Sequence, residues 1–103
     1  MRPISPRFRK MIDADPYFKT CVRAHEGDCS GRITIEHVFI YQGRQIDEMF
    51  NFLPLCWRHH LVDNNKRYNE FKSLQRATED ELAKYPKKDW KQLKKYLDKI
   101  YDH

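Results

Sequence analysis

Hydrophobic positions follow a helical period at both ends of the chain and a strand-like run in the middle. Ser5-Pro6 predicts a helix start, with the serine as N-cap and the proline at the first helical position. Phe8, Met11 and Ile12 then share one face, and Asp15-Pro16 ends the segment, because a residue before proline is driven out of the helical region. Residues 1–5 read as a loose tail, and Tyr17, Phe18 and Val22 form a short apolar lead around Cys21. Cys21 to Gly31, with Asp28, Ser30 and two glycines, reads as a loop. Ile33 to Tyr41 is rich in β-branched and aromatic residues and predicts one strand, broken by Gln42-Gly43-Arg44-Gln45. Residues 46–50 show no clear period. Phe52 to Leu55 predicts a second short strand, which Pro54 assigns to a sheet edge.

From Trp57 the period becomes helical. Leu61, Tyr68, Phe71 and Leu74 recur at helix-compatible spacing, with Asp63-Asn64-Asn65 as an interruption or restart. Thr78 and Glu81 have the capping-box spacing, predicting a short helix over 79–85 that Pro86 stops. Asp89 to Tyr101 is the clearest helix. Trp90, Leu93, Tyr96, Leu97 and Ile100 form its apolar stripe, and lysines 91, 94, 95 and 99 lie largely outside it. There is no internal repeat and no low-complexity segment.

At 103 residues the chain suits one small domain, and a mean hydropathy of −0.93 with 34% charged residues implies a small core. Six Tyr, six Phe and two Trp carry much of that core. A core this small often needs a staple, either a disulfide or a metal. The net charge of +5 is unevenly spread. Residues 1–24 carry six Lys/Arg against two acids, residues 64–103 eleven against seven, and the middle three against six. A basic frame around an acidic centre suits a protein that grips phosphates while an inner site holds a divalent cation. Three cysteines cannot all pair, the first residues do not form a signal peptide, and no apolar run approaches a membrane span. The expected compartment is the cytoplasm, where cysteines beside histidines act as metal ligands more often than as disulfides.

Cys56-Trp-Arg-His59 is a Cys-x2-His pair, whose spacing lets one tight turn grip one ion. Upstream stand Cys21 and Cys29, with Gly31 two residues beyond, where glycine permits a metal-binding turn. Cys21, Cys29, Cys56 and His59 make a tetrahedral zinc set that would add on the order of 10 kcal/mol to folding. His25 is spaced to replace either upstream cysteine, and the thiolates are preferred as ligands.

Glu36-His37, Asn51 and His60 fall in order around these pairs. The stretch from about 21 to 65 resembles the HNH endonucleases, whose core reads as an acid or His plus His, then Asn-Leu-x-x-Leu-Cys-x-x-Cys-His. A looser likeness is to small phage-type members with a Cys-x2-His-His ending. The chain departs from the pattern in its Cys-x7-Cys first pair and in carrying His59 where Cys is usual. The resemblance implies one α+β domain over 1–103, a zinc-stapled ββα-metal core of about 21–65 flanked by N- and C-terminal helices, the latter a C-terminal extension over about 66–103. It implies hydrolysis of DNA phosphodiesters, with His37 as general base and Asn51 orienting its loop. Glu36 and His60 would hold Mg²⁺ or Mn²⁺, with Ni²⁺ as a further option, and Asn64 would add a weak ligand. Arg44, Arg58, Lys66 and Arg67 are the expected phosphate contacts. Two other readings stay open: a catalytically inactive zinc-containing DNA-binding module, and an accessory subunit of a phage-type recombination or packaging assembly. A homodimer is a further open point.

Overall fold

The computed structural model describes residues 3–101 and shows a mixed fold of four α-helices, short 3₁₀ and π turns and two small antiparallel sheets. Helix α1 spans Pro6–Ala14, with the Ser5 side chain accepting from Phe8 N. Asp15 closes it and at once caps the 3₁₀ turn Pro16–Lys19 by accepting from Tyr17 N. Ile4, expected in the tail, packs with Phe8 against buried Ile12, Phe18 and Phe52, and residues 1 and 2 lie outside the described ones. Met11, expected on the buried face, is exposed.

Strand β1 is Ile33–His37, and the expected single strand to Tyr41 stops there. Val38 N still donates to the Asn51 carbonyl, but there the partner strand gives way to the 3₁₀ turn Met49–Asn51, whose Asn51 N–H donates to the Glu48 carbonyl. Just beyond, Asn51 Oδ1 accepts from Phe39 N at 2.6 Å. The chain then forms a separate hairpin, β2 (Ile40–Tyr41) and β3 (Arg44–Gln45), through Gln42-Gly43. Both turn residues have positive φ, 51° and 78°, the two-residue turn that matches strand twist.

Strand β4 (Phe52–Cys56) pairs antiparallel with β1, in a register from Ile33 opposite Cys56 to His37 opposite Phe52. Every residue of β4 is buried. Pro54 does lie on an edge, since the sheet has two strands, but that edge is covered: Val22 N donates to the Pro54 carbonyl at 3.0 Å.

A π turn over Arg58–Val62 follows, then Asn65 restarts the chain as the N-cap of α2, Lys66–Arg76. Leu61, expected in the core stripe, is 64% exposed because this wide turn is out of phase with α2. The Thr78–Glu81 capping box forms and starts α3, Glu79–Ala83. Asp89 accepts from Gln92 N at the start of α4, Trp90–Tyr101. Its packed face is Trp90, Leu93, Leu97 and Tyr101, while Tyr96 and Ile100 are exposed. The main core gathers Phe39, Ile46 and Phe50 against Phe71 and Leu74 of α2 and Trp90 and Leu97 of α4. No helix among the described residues is long and apolar enough to cross a membrane.

Candidate functional site

Cys21 precedes the 3₁₀ turn Ala24–Glu26, Cys29 lies in the loop before β1, and Cys56 ends β4. Their sulfurs and a ring nitrogen of His59 all lie within 4.8 Å of one another. His59 Nδ1 is 3.5, 3.7 and 3.3 Å from the sulfurs of Cys21, Cys29 and Cys56. A tetrahedral zinc ion with ordinary bond lengths separates sulfur from nitrogen by about 3.5 Å, so this set is compatible with zinc. The three cysteines form no disulfide. His25 stands apart, its ring tilted against Tyr68 and near Glu26, so it replaces neither cysteine.

Two contacts between neighbouring backbones shape the cluster. Trp57 N donates to the Arg32 carbonyl and Arg58 N to the Ser30 carbonyl, laying the Cys29 loop along the Cys56 turn. Gly31 makes the approach feasible. Its φ is +80°, and a Cβ there would come 2.6 Å from Trp57 Cβ. Buried Arg23 ties the other side, bonding both carboxylate oxygens of Glu26 and the carbonyl and carboxylate of Asp63. Loss of hydration, then Cys56 and Cys21 beside it, push the Cys29 thiol up to about 11. Burial also acts to raise Cys56, but the N–H groups of His59 and Ser30 outweigh it and hold that thiol below its ordinary range.

The two adjacent histidines on the π turn reach different places. His59 is buried and turns Nδ1 to the sulfurs, whereas His60 turns to β1. His60 Nε2 lies 4.0 Å from Glu36 Oε1, within the roughly 4.2 Å that two bonds to one ion span. Glu36 is itself buried, and amides hold both its oxygens: Asn64 Nδ2 on Oε1 at 2.7 Å and Asn69 Nδ2 on Oε2 at 2.5 Å. Asn64, expected as a weak ligand, is a donor here. It also donates to the His60 carbonyl, and its Oδ1 accepts from Asn69.

His37 follows Glu36 on β1 and so projects from the opposite face of that strand, and Asn51 immediately precedes β4. The His37 ring packs edge-on against Phe52, with centroids 5.2 Å apart. Asn51 is fully buried and bridges the chain on both sides of the small hairpin, donating to the Phe39 and Ile46 carbonyls as well as accepting from Phe39 N. Of the basic residues, Arg44 is exposed on the small hairpin, Arg58 is half-buried on the π turn, and Lys66 is exposed at the start of α2. Arg67 is already engaged, paired with Glu70 at 3.1 Å and set over the Tyr96 ring.

Two residues of this neighbourhood escape a reading of the sequence. Asn69 sits inside α2, and a poor helix former in mid-helix is a weak signal that its amide has a tertiary partner. Thr34, in β1, reads as an ordinary strand residue and carries no such mark. Set against protein-family models, curated proteins and solved structures, the chain matches none.

Proposed function

We propose that the protein is a metal-dependent endonuclease of the HNH type that hydrolyses phosphodiester bonds in DNA. The carrying observation is the juxtaposition of Glu36 and His60, from β1 and the π turn, beside a separate Cys3His cluster. The reading is supported by the order of elements, two antiparallel strands followed by a helical segment. On this reading Zn²⁺ occupies the cluster of Cys21, Cys29, Cys56 and His59 as a staple. Glu36 and His60 hold Mg²⁺ or Mn²⁺, with Ni²⁺ as the softer option for the imidazole. When bound, that cation supplies charge stabilisation for the phosphoryl oxygens and the leaving oxygen. His37 accepts a proton from the attacking water at a ring nitrogen, for which a neutral imidazole has the right basicity. Asn51 holds the backbone two residues beyond His37, which orients the base. Arg44, Arg58 and Lys66 contact phosphates, and Arg67 joins them by leaving Glu70. Three free thiols suit the reducing cytoplasm, and cleavage of both strands calls for a homodimer, a recombination partner or a second visit.

A second reading is a zinc-containing DNA-binding module without catalysis. It is favoured by the two amides that already occupy Glu36 and by the packing of His37 on Phe52. Nicking of supercoiled plasmid with Mg²⁺ or Mn²⁺ separates the two. Wild-type protein is expected to nick, and His37→Ala to lose about 100-fold or more in rate with DNA binding retained. Absence of nicking with every divalent ion, with DNA binding intact, leaves the binding module. Absence of DNA binding at low salt leaves the accessory subunit.

A further inference from the structure

We infer that Thr34 fixes the tautomer of His60, so that Nε2 presents its lone pair beside the Glu36 carboxylate. This rests on the reading of Glu36 and His60 as cation ligands, and it makes Thr34 a positioning residue. Thr34 and Glu36 are two apart on β1 and so project from the same face of the strand. Thr34 Oγ1 is 2.9 Å from the Leu55 carbonyl, which can only accept, so the hydroxyl's single proton is directed there. The same oxygen is 2.6 Å from His60 Nδ1. With its proton committed, Oγ1 can only accept from the ring, and Nδ1 carries the hydrogen. A neutral imidazole has one N–H, so Nε2 is left with its lone pair.

The surroundings of Nε2 agree. Its distance of 4.0 Å from Glu36 Oε1 is too long for a hydrogen bond, so the carboxylate does not draw the proton to that nitrogen. Glu36 is kept from closing the gap by the amides of Asn64 and Asn69, and Asn64 is braced in turn on the His60 carbonyl. A hydroxyl behind one ring nitrogen and a clamped carboxylate before the other is the outer arrangement that orients an imidazole ligand.

The test uses the full chain with its zinc, ¹⁵N-labelled, at about pH 8.5, where an ordinary imidazole is neutral. Long-range ¹H–¹⁵N correlation spectra report which ring nitrogen of His60 carries the proton, and calorimetric titration reports Mn²⁺ affinity. Wild-type His60 is expected as the Nδ1–H tautomer. Thr34→Val is expected to move the proton to Nε2 wholly or in part and to weaken Mn²⁺ binding by about 10- to 100-fold, with zinc content unchanged. Thr34→Ser, which keeps the hydroxyl, is expected to retain both properties. An Nε2–H tautomer in the wild type overturns the inference, whether or not the valine variant folds. So does Thr34→Val protein that keeps the Nδ1–H tautomer. If the tautomer behaves as expected but wild-type protein binds no Mn²⁺, the assignment to Thr34 stands and the cation site of the proposed function falls.

Discussion

Around Trp90, seven residues make one buried apolar cluster, whereas around Cys56 the cluster has four, two of them the thiols Cys21 and Cys56. In the first region Trp90 meets Phe39 and Phe50 edge-on, at 5.1 and 6.2 Å between centroids, and its indole N–H donates to the Tyr85 carbonyl. Large area, good aromatic geometry and a satisfied polar atom stabilise it without help. In the second, Leu53 and Leu55 supply most of the hydrocarbon, and the neighbouring buried groups are sulfur, imidazole, carboxylate and amide. Burying those groups costs free energy unless partners or an ion compensate. One half can thus be read as a hydrophobic core, whereas the other carries the donor set of a metal site.

The largest expected effect follows from that donor set. Zinc bound by three thiolates and an imidazole contributes on the order of 10 kcal/mol, comparable to the whole stability of a domain this size. Elemental analysis is expected to find one zinc per chain, and stripping it with a chelator, or replacing Cys56 by Ser, to abolish cooperative thermal unfolding. A stripped protein that melts at the original temperature breaks the comparison, because both halves would then stand on burial alone. Trp90→Ala tests the other half. It leaves a cavity against Phe39 and Phe50 and is expected to cost about 3–5 kcal/mol, with zinc content unchanged. Equal loss of zinc from that variant would mean that the two halves are one cooperative unit.

What the sequence made legible divides along the same line. The Cys and His pairs are local spacings, and the four residues they indicate do converge; Ser5, Thr78 and Glu81 likewise announce caps that form. Effects set by contacts distant in sequence were hidden. Nothing near Phe39 indicates that Asn51 takes its N–H, and nothing near Leu61 indicates a π turn that carries it into solvent. Glu36 was legible as an acid beside a histidine, but its amide clamp joins positions 28 and 33 residues away.

The smallest effect sharpens the comparison at a seam between the N-terminal segment and the aromatic half. Arg76, at the end of α2, bonds Asp15 at 3.2 Å and lies over the Tyr17 ring, 3.6 Å from its centroid. The Tyr17 N–H holds the Asp15 carboxyl below its ordinary value; loss of hydration opposes it, and the Arg76 guanidinium adds to the lowering. A carboxyl depressed on folding stabilises the native state above its unfolded pKa of about 3.8, and that contribution disappears as the pH falls through the lower folded value. Asp15→Asn keeps a capping oxygen and removes the charge, so the loss at neutral pH is expected to be under about 1 kcal/mol for so exposed a pair. Thermal unfolding of wild type and variant compared across pH isolates this position, since the Cys3His cluster is common to both. The difference is expected to be constant at neutral pH and to shrink below about pH 4. A difference that grows on acidification would mean that Asp15 is not held ionised by this seam, and that the N-terminal helix is fastened by apolar packing around Ile12, Phe18 and Phe52.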